Sequence, residues 1–311
     1  LQELKTIKVT GVIACEAAPA VITDRIDEVM DDVDVIMVVS TTDAHRSIAY
    51  ACKPYLKDGQ IVMLNPGHCG GALEIANILR GEDGCGKDLI IAEAGDLMYG
   101  CRSYEVGNIL HTGLKVHVPV ATLPASDIDR LMKVLGPIFP CLQPAANVLE
   151  TGFEGAGAML HPIPSLMNIN KMDLGQSYDY YMEGITPHIA DIISACDKER
   201  VAVCRALGVD ALALGDMLVK TYKLEPKDSL YDLIQSIESY RSAQPDQYQA
   251  PVHRGGYHVR LGTSGFRGPC IGHPHPDDGR LCQYRQCCLR SGLLERGTHR
   301  RKAGDGRQDA G

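Results

Sequence analysis

Short apolar runs alternate with amphipathic stretches through the first 145 residues. Three runs, DVIMVVS (34–40), QIVMLN (60–65) and DLIIAEA (88–94), are aliphatic without regular polar alternation, as expected of strands buried on both faces. The stretches that follow the first two runs predict helices, one N-capped by Asp43 and the other ended by Gly81. Strands joined by helices of this length predict βαβ crossovers and a parallel sheet.

The pattern changes near residue 147, where helical periodicity replaces the apolar runs. Thr186 followed by Pro187 is a helix start signal, and this helix is predicted to close at Gly208. Two more helices are predicted near 211–222 and 229–240. The apolar side chains predicted to share one face of the first helix are Ile189, Ile192, Ile193, Cys196 and Val203.

These patterns predict an α/β domain over residues 1–145 and an all-α domain over 146–243. The tail, 244–311, fits neither, because it contains 12 Gly, 10 Arg, 4 Cys and one Ile without a sustained period, a composition that predicts disorder. The net charge of −8 divides into −13 before the tail and +5 within it. A basic tail on an acidic body makes a nucleic-acid-binding arm one hypothesis.

Composition narrows the class of protein. The chain has 311 residues, is 45% apolar and contains no Trp. It has no apolar run near the ~18 residues that a membrane span needs, and no secretory signal pattern. The first residue is not Met, so the true start is expected to be missing. Its 12 cysteines form no Cys-x-x-Cys pair, which favours free thiols in a cytoplasmic protein over a metal site.

Two glycine-rich stretches imitate nucleotide-binding loops. GEDGCGKD (81–88) resembles a phosphate loop, but Asp88 replaces the required hydroxyl and the stretch follows a predicted helix instead of a strand. GFEGAG (152–157) has the glycines of a dinucleotide loop in the wrong order, and a turn before a helix is the preferred interpretation. Neither is predicted to bind phosphate.

Two other stretches are better ligand candidates. VVSTTDAHR (38–46) and LNPGHCGGALE (64–74) lie at the carboxyl ends of predicted buried strands, where open α/β sheets bind ligands, although ordinary turns would explain them equally well. His161, in GAMLHPIPSLMN (157–168), is either a general acid/base or a hydrogen-bonded core residue. The catalytic interpretation requires an orienting partner for the imidazole.

Together, five stretches in order resemble motifs of the octopine/nopaline (opine) dehydrogenase family, over roughly residues 7–243. They are AHRSIA (44–49), DGQIVMLNPGHCGGALE (58–74), NVLETG (147–152), AMLHPIPSLMN (158–168) and YMEGITPHIA (181–190). The resemblance implies NADH- or NADPH-dependent reduction of an imine formed from an α-keto acid and an amino acid. It also implies an α/β Rossmann-type domain, here without its first βαβ part, followed by an all-α opine-dehydrogenase-like domain. Neither a nucleic acid nor a membrane is then an expected partner.

The resemblance also implies roles for individual residues. His161 matches the family's catalytic histidine. The residues implied to line the nicotinamide side of the cofactor cleft are Ser40, Thr41, His45, Asn65, Pro66 and Gly67. Glu93 and Asn168 are implied to contact substrate, and no metal is expected. Glu154-Gly155-Ala156-Gly157 replaces an Asn-rich stretch of many relatives, and Ala94 replaces a frequent Thr, so the amino-acid specificity stays open.

Two family motifs are absent. Relatives begin with a strand and a G-x-G-x-x-G turn, which predicts that this chain is truncated. The Asp that pairs with the catalytic histidine belongs to a downstream segment resembling R-Y-x-x-E-D-x-x-x-G-L-V-P. PDQYQAPVHRGGYHVRLGT (245–263), written as codons and shifted by one nucleotide, permits P-T-N-I-K-H-R-Y-I-E-E-D-I-T-Y-G-L-V-P. We therefore predict a frameshift near 243–245.

If that hypothesis is right, the tail is an artefact that packs poorly, NAD(P)H binds weakly, and this polypeptide is inactive. One alternative is another two-domain NAD(P)-dependent dehydrogenase, acting on a 2-keto or 3-hydroxy acid. A second is a non-catalytic fragment.

Overall fold

The computed structural model of the protein describes residues 6–68 and 70–241, all within one compact unit. The predictions for the tail, 244–311, lie outside the described residues. The strands are β1 (Ile7–Gly11), β2 (Cys15–Ala17), β3 (Val35–Val38), β4 (Ile61–Leu64), β5 (Ile90–Ala94), β6 (Tyr99–Glu105), β7 (Asn108–Leu114), β8 (Val118–Leu123) and β9 (Leu142–Pro144).

Ten α-helices are described, and all but the first three follow β9. They are α1 (Thr42–Cys52), α2 (Gly71–Arg80), α3 (Ile128–Leu135), α4 (Val148–Phe153), α5 (Gly157–Leu160), α6 (Pro162–Met167), α7 (Ile169–Asp173), α8 (Pro187–Ala206), α9 (Leu214–Tyr222) and α10 (Leu230–Gln235). Short 3-10 helices occur at Ile26–Glu28, Lys53–Tyr55, Ala125–Asp127 and Glu238–Tyr240. The predicted change from mixed to helical structure is confirmed, while the domain bounds stay a prediction.

The central sheet has the strand order β3-β4-β5-β8-β9. β3, β4 and β5 are parallel and are joined through α1 and α2, which confirms the predicted βαβ crossovers. Val62 and Leu64 of β4 pack into the core beneath α1 and α2, whereas Ile61 and Met63 pack into the core beneath α3. Burial on both faces explains the lack of polar alternation in these runs.

The predicted N-cap of α1 is wrong by two residues. Thr41 is the N-cap, with extended backbone dihedrals of φ −69° and ψ 153°, and Asp43 lies within the first turn. The hydroxyl of Thr41 donates a hydrogen bond to the carboxylate of Asp43. An acidic side chain in the first turn is favoured by the helix dipole, which explains why Asp43 resembles a cap in the sequence.

A second sheet, β2-β1-β7-β6, was not predicted. β6 and β7 form an antiparallel hairpin, and β7 pairs in parallel with β1, so that Lys8 lies opposite Asn108. The hairpin strands YGCRSYE and NILHTGL carry few large apolar residues. The pairing of β7 with β1 joins strands about 100 residues apart, which no local pattern can show.

The long helix α8 starts as predicted, because the hydroxyl of its N-cap Thr186 accepts a hydrogen bond from the backbone N–H of Ile189. The predicted apolar face is wrong in part, since Ile192 and Val203 are exposed. The side chains that α8 buries are Ile189, Ala190, Ile193, Asp197, Arg200 and Cys204. Two of these six residues, Asp197 and Arg200, form a buried ion pair, which an apolar pattern cannot reveal.

Candidate active site

Three parallel strands bring polar residues to one edge of the central sheet. Ser40 follows β3, Asn65 follows β4, and Glu93 is the fourth residue of β5. The backbone N–H of Asn65 donates to the carbonyl of Val38 at 2.9 Å, which aligns the chain just past the ends of β3 and β4. Carboxyl ends of parallel strands meet at the same edge, so the predicted cofactor residues lie together.

Several polar atoms at this edge are buried without a hydrogen-bond partner among the described residues. They are Ser40 Oγ, Asn65 Oδ1, His68 Nε2 and both ring nitrogens of His45. His45 is fully buried, and this burial, together with the nearby His68, lowers the pKa of its imidazole. Buried polar atoms are normally hydrogen-bonded, so this group of atoms fits a ligand that supplies the partners. Thr41 contributes less, since its hydroxyl is used by Asp43.

The loop between β4 and α2 approaches its neighbours closely. A Cβ at Gly67 would overlap the Glu93 side chain, and a Cβ at Gly71 would lie 3.0 Å from His45 Nδ1. Gly70 has a φ of +91°, a conformation that L side chains rarely adopt. Pro66 also stands within this loop. Glycine is therefore needed at these positions, because a side chain at Gly67 would collide with Glu93 and one at Gly71 would crowd His45.

Glu93 joins two helices from inside the core. Its Oε2 accepts from the backbone N–H of Ala72 at 2.8 Å, and its Oε1 accepts from the hydroxyl of Thr151 at 2.7 Å. Burial raises the pKa of Glu93 to about 7, and these two hydrogen bonds oppose the rise. The side chain is fully buried. This geometry favours a structural link between α2 and α4 over the implied contact with substrate.

Asn168 is likewise committed to the protein interior. Its side-chain amide donates to the carbonyls of Pro164 and Gly184, each at 2.8 Å, and the residue is 3% exposed. These bonds connect α6 to the segment before α8. The geometry favours a structural role for Asn168 over the implied contact with substrate.

His161 lies between α5 and α6, where Pro162 starts the second helix. Its Nε2 lies 2.9 Å from the hydroxyl of Tyr181, and its backbone carbonyl accepts from the hydroxyl of Tyr180 at 2.7 Å. Two consecutive tyrosines thus hold the side chain and the backbone of the same histidine. Neither was singled out from the sequence.

The charge on His161 depends on the α/β part of the chain. Burial lowers the pKa of His161 to about 4; Asp96 opposes this decrease, whereas His68, Lys115 and Arg102 add to it. Asp96 precedes β6 and Lys115 follows β7, so the base of the unpredicted hairpin presents charges to the histidine. Asp96 is the carboxylate with the largest effect on His161 among the described residues.

Asp96 and Lys115 form an ion pair at this base. Lys115 is 7% exposed, and burial alone would lower the pKa of its ammonium group, but Asp96 raises the pKa above its usual value. The ammonium group of Lys115 therefore remains protonated at neutral pH. The sequence could have indicated this ion pair only through the hairpin, because the two ends of a hairpin lie next to each other.

Among the described residues, no helix has the length and hydrophobicity that a membrane span requires. No group of three or more His, Cys, Asp or Glu side chains converges there to hold a metal ion. The described cysteines, Cys15, Cys52, Cys85, Cys101, Cys141, Cys196 and Cys204, are free.

The chain is similar in sequence to one protein family and to two named dehydrogenases. Residues 144–255 match the family described as NAD/NADP octopine/nopaline dehydrogenase, alpha-helical domain. The chain is 32% identical over 247 residues to the opine dehydrogenase of Arthrobacter sp. (strain 1C), covering 77% of this chain and 68% of that protein. It is 24% identical over 243 residues to the tauropine dehydrogenase of Arabella iricolor, covering 72% and 60%.

Solved structures share the fold. Octopine dehydrogenase with NADH and L-arginine superimposes with a TM-score of 0.60 at 20% identity, covering 76% of this chain. Yersinopine dehydrogenase with NADP⁺ gives a TM-score of 0.57 at 14% identity and covers 77%. The chain spans 63% of the octopine enzyme's length and 67% of the yersinopine enzyme's. The Rossmann-like sheet followed by a helical part is therefore the fold of these enzymes.

Proposed function

The chain belongs to the opine dehydrogenase family, and from that premise we propose that it carries the site for NAD(P)H-dependent condensation of an α-keto acid with an amino acid. The observation that carries the proposal is the position of His161. It belongs to the helical part, yet its charge depends on Asp96, Lys115, His68 and Arg102 of the α/β part. Such a histidine is placed for proton transfer at a site that both parts build.

The proposed cofactor site is the sheet edge built by Ser40, His45, Asn65 and Gly67. Its buried, unpaired polar atoms fit NAD or NADP, since a bound ligand would satisfy them. The reduced nicotinamide would supply a hydride equivalent for reduction of the imine carbon.

His161 is neutral at pH 7, because burial lowers its pKa to about 4. A neutral imidazole has one ring nitrogen that donates a proton and one that accepts, so it can relay a proton during the condensation of the amine with the keto carbon. Arg102 has a buried Nε–H without a hydrogen-bond partner among the described residues. We assign it to a substrate carboxylate, for which a guanidinium is the preferred donor.

The test is NADH or NADPH oxidation with pyruvate and a panel of amino acids, each substrate supplied alone and together. In the graft described below, oxidation is expected to require both substrates, and its loss in His161→Ala with retained NADH binding would support the assigned role. Oxidation with the keto acid alone would favour the other two-domain dehydrogenase class. Equal condensation by wild type and His161→Ala would refute the assignment.

The inactivity of this polypeptide stays a prediction, and two further proteins separate it from the assignment of the site. One carries residues 7–241 grafted in place of the matching part of the Arthrobacter relative, with and without His161→Ala. The other adds the N-terminal region of that relative to this chain and encodes residues from 244 onward in the shifted reading frame. Condensation by the graft with no gain from the frame change would support the site and contradict the frameshift hypothesis.

A further inference from the structure

The hydroxyl of Tyr181 lies 2.9 Å from Nε2 of His161. Tyr181 stands twenty residues further along the chain, in the segment that precedes α8. The contact therefore joins two separate pieces of the helical part. A hydrogen bond of this length to one ring nitrogen decides which nitrogen carries the proton.

Tyr181 is held in place by contacts that do not involve His161. It is 5% exposed, and its ring stacks on Tyr240 with centroids 4.2 Å apart and planes at 17°. Tyr180 packs edge-on against it at 5.0 Å and 87°. The backbone N–H of Tyr181 donates to the carboxylate of Asp179 at 3.1 Å. Rigid packing of this kind gives the hydroxyl a fixed direction before any ligand binds.

We propose that Tyr181 is a positioning residue for His161: its O–H donates to Nε2 and so keeps the imidazole proton on Nδ1. This inference rests on the proposed function of His161. A phenol gives its proton to a good acceptor more readily than it accepts one, and the unprotonated nitrogen of a neutral imidazole is a good acceptor. One tautomer and one ring orientation follow from that direction.

The choice of a phenol has a chemical consequence. A carboxylate that orients a histidine also stabilises its protonated form. A neutral tyrosine that donates a hydrogen bond stabilises the neutral form instead. Tyr181 then fixes the tautomer and also favours the neutral form, as Lys115 does, whereas Asp96 favours the protonated form.

The test is an NMR titration of the 311-residue chain with ¹⁵N-labelled histidine. His161→Gln identifies the signals of His161 among the 11 histidines. In the wild type, Nε2 should appear unprotonated and Nδ1 protonated at pH 7. In Tyr181→Phe, the Nε2–H tautomer should become populated and the pKa of His161 should rise by about one unit, since a bond to the neutral form is lost.

Tyr178→Phe is the matched control. Tyr178 belongs to the same apolar cluster, and its buried hydroxyl has no hydrogen-bond partner among the described residues. This variant should leave the His161 signals unchanged. A change of the same size in both variants would mean that general repacking, and not the hydrogen bond, moves the histidine, which would overturn the proposal.

Two further results would overturn it. One is a wild-type spectrum in which the proton of His161 lies on Nε2. The other is a folded Tyr181→Phe protein with unchanged tautomer and pKa. Because these measurements need no turnover, the expected tautomer in this chain together with no condensation activity in the graft would contradict the proposed function and leave the positioning role intact.

Discussion

Glu93 should make the stability of this protein depend on pH in a way that one substitution removes. Its carboxyl is fully buried and has a pKa raised from 4.5 to about 7. The folded state therefore binds the proton more tightly than the unfolded state does. The stabilisation is complete below about pH 4.5 and is lost as the pH rises through 7. At roughly 1.4 kcal/mol per pH unit, the loss is about 3 kcal/mol.

Glu93→Gln keeps the hydrogen bonds while it removes the titration. Its amide oxygen can accept from the N–H of Ala72, and its amide nitrogen can donate to the hydroxyl of Thr151. That hydroxyl already lies 3.2 Å from the carbonyl of Val148, to which it can then donate. The free energy of unfolding of the variant relative to wild type should thus increase by about 3 kcal/mol between pH 5 and 8.

Urea unfolding at several pH values measures this difference. The chain has 13 Tyr and no Trp, so tyrosine fluorescence and circular dichroism are suitable probes. Glu199→Gln, on the exposed side of α8, is the control and should follow the wild-type pH dependence. If wild type and Glu93→Gln remain parallel from pH 5 to 8, the reasoning about the buried carboxyl is refuted.

Three more changes have expected outcomes. Arg200→Leu leaves the carboxylate of Asp197 buried without its guanidinium partner. The variant should lose about 3–5 kcal/mol of stability in thermal unfolding. Replacing both Arg200 and Asp197 with Leu should recover part of this loss. Asn168→Ala should cost about 1–3 kcal/mol in urea unfolding, since the buried carbonyl of Gly184 loses its donor and that of Pro164 keeps only the backbone N–H of residue 168; an unchanged midpoint would contradict this. Lys115→Met removes a positive charge and should raise the pKa of His161 above about 4 in an NMR titration, and a fall would contradict the assigned electrostatics.

The sequence predicted the central sheet because its signal is local. β3, β4 and β5 are buried on both faces, and each appears as an uninterrupted aliphatic run. Because these strands run in the same direction, Ser40 and Asn65 are predicted to lie at one edge of the sheet before any contact between them is known. The start of α8 at Thr186-Pro187 was found for the same reason, since capping involves residues a few positions apart.

What the sequence did not predict depends on contacts between distant segments. The buried pair Asp197–Arg200 occupies the face of α8 where apolar residues were expected, because the guanidinium also donates to the backbone carbonyls of Phe153 and Leu212. Asp96 influences His161 only through the fold of the hairpin. The partner of the histidine was therefore expected in the tail, and its neighbours in the described chain were overlooked.

The parallel pairing of β1 with β7 has a consequence for how the chain assembles. Lys8 and Asn108 are 100 residues apart, and the ends of that long loop must meet before the second sheet can form. The β3-α1-β4-α2-β5 units need only short-range closure and should form first, since long-range pairing carries the larger entropic cost. The charged base of the hairpin, and with it the electrostatic environment of His161, is thus expected to be completed in a late folding step.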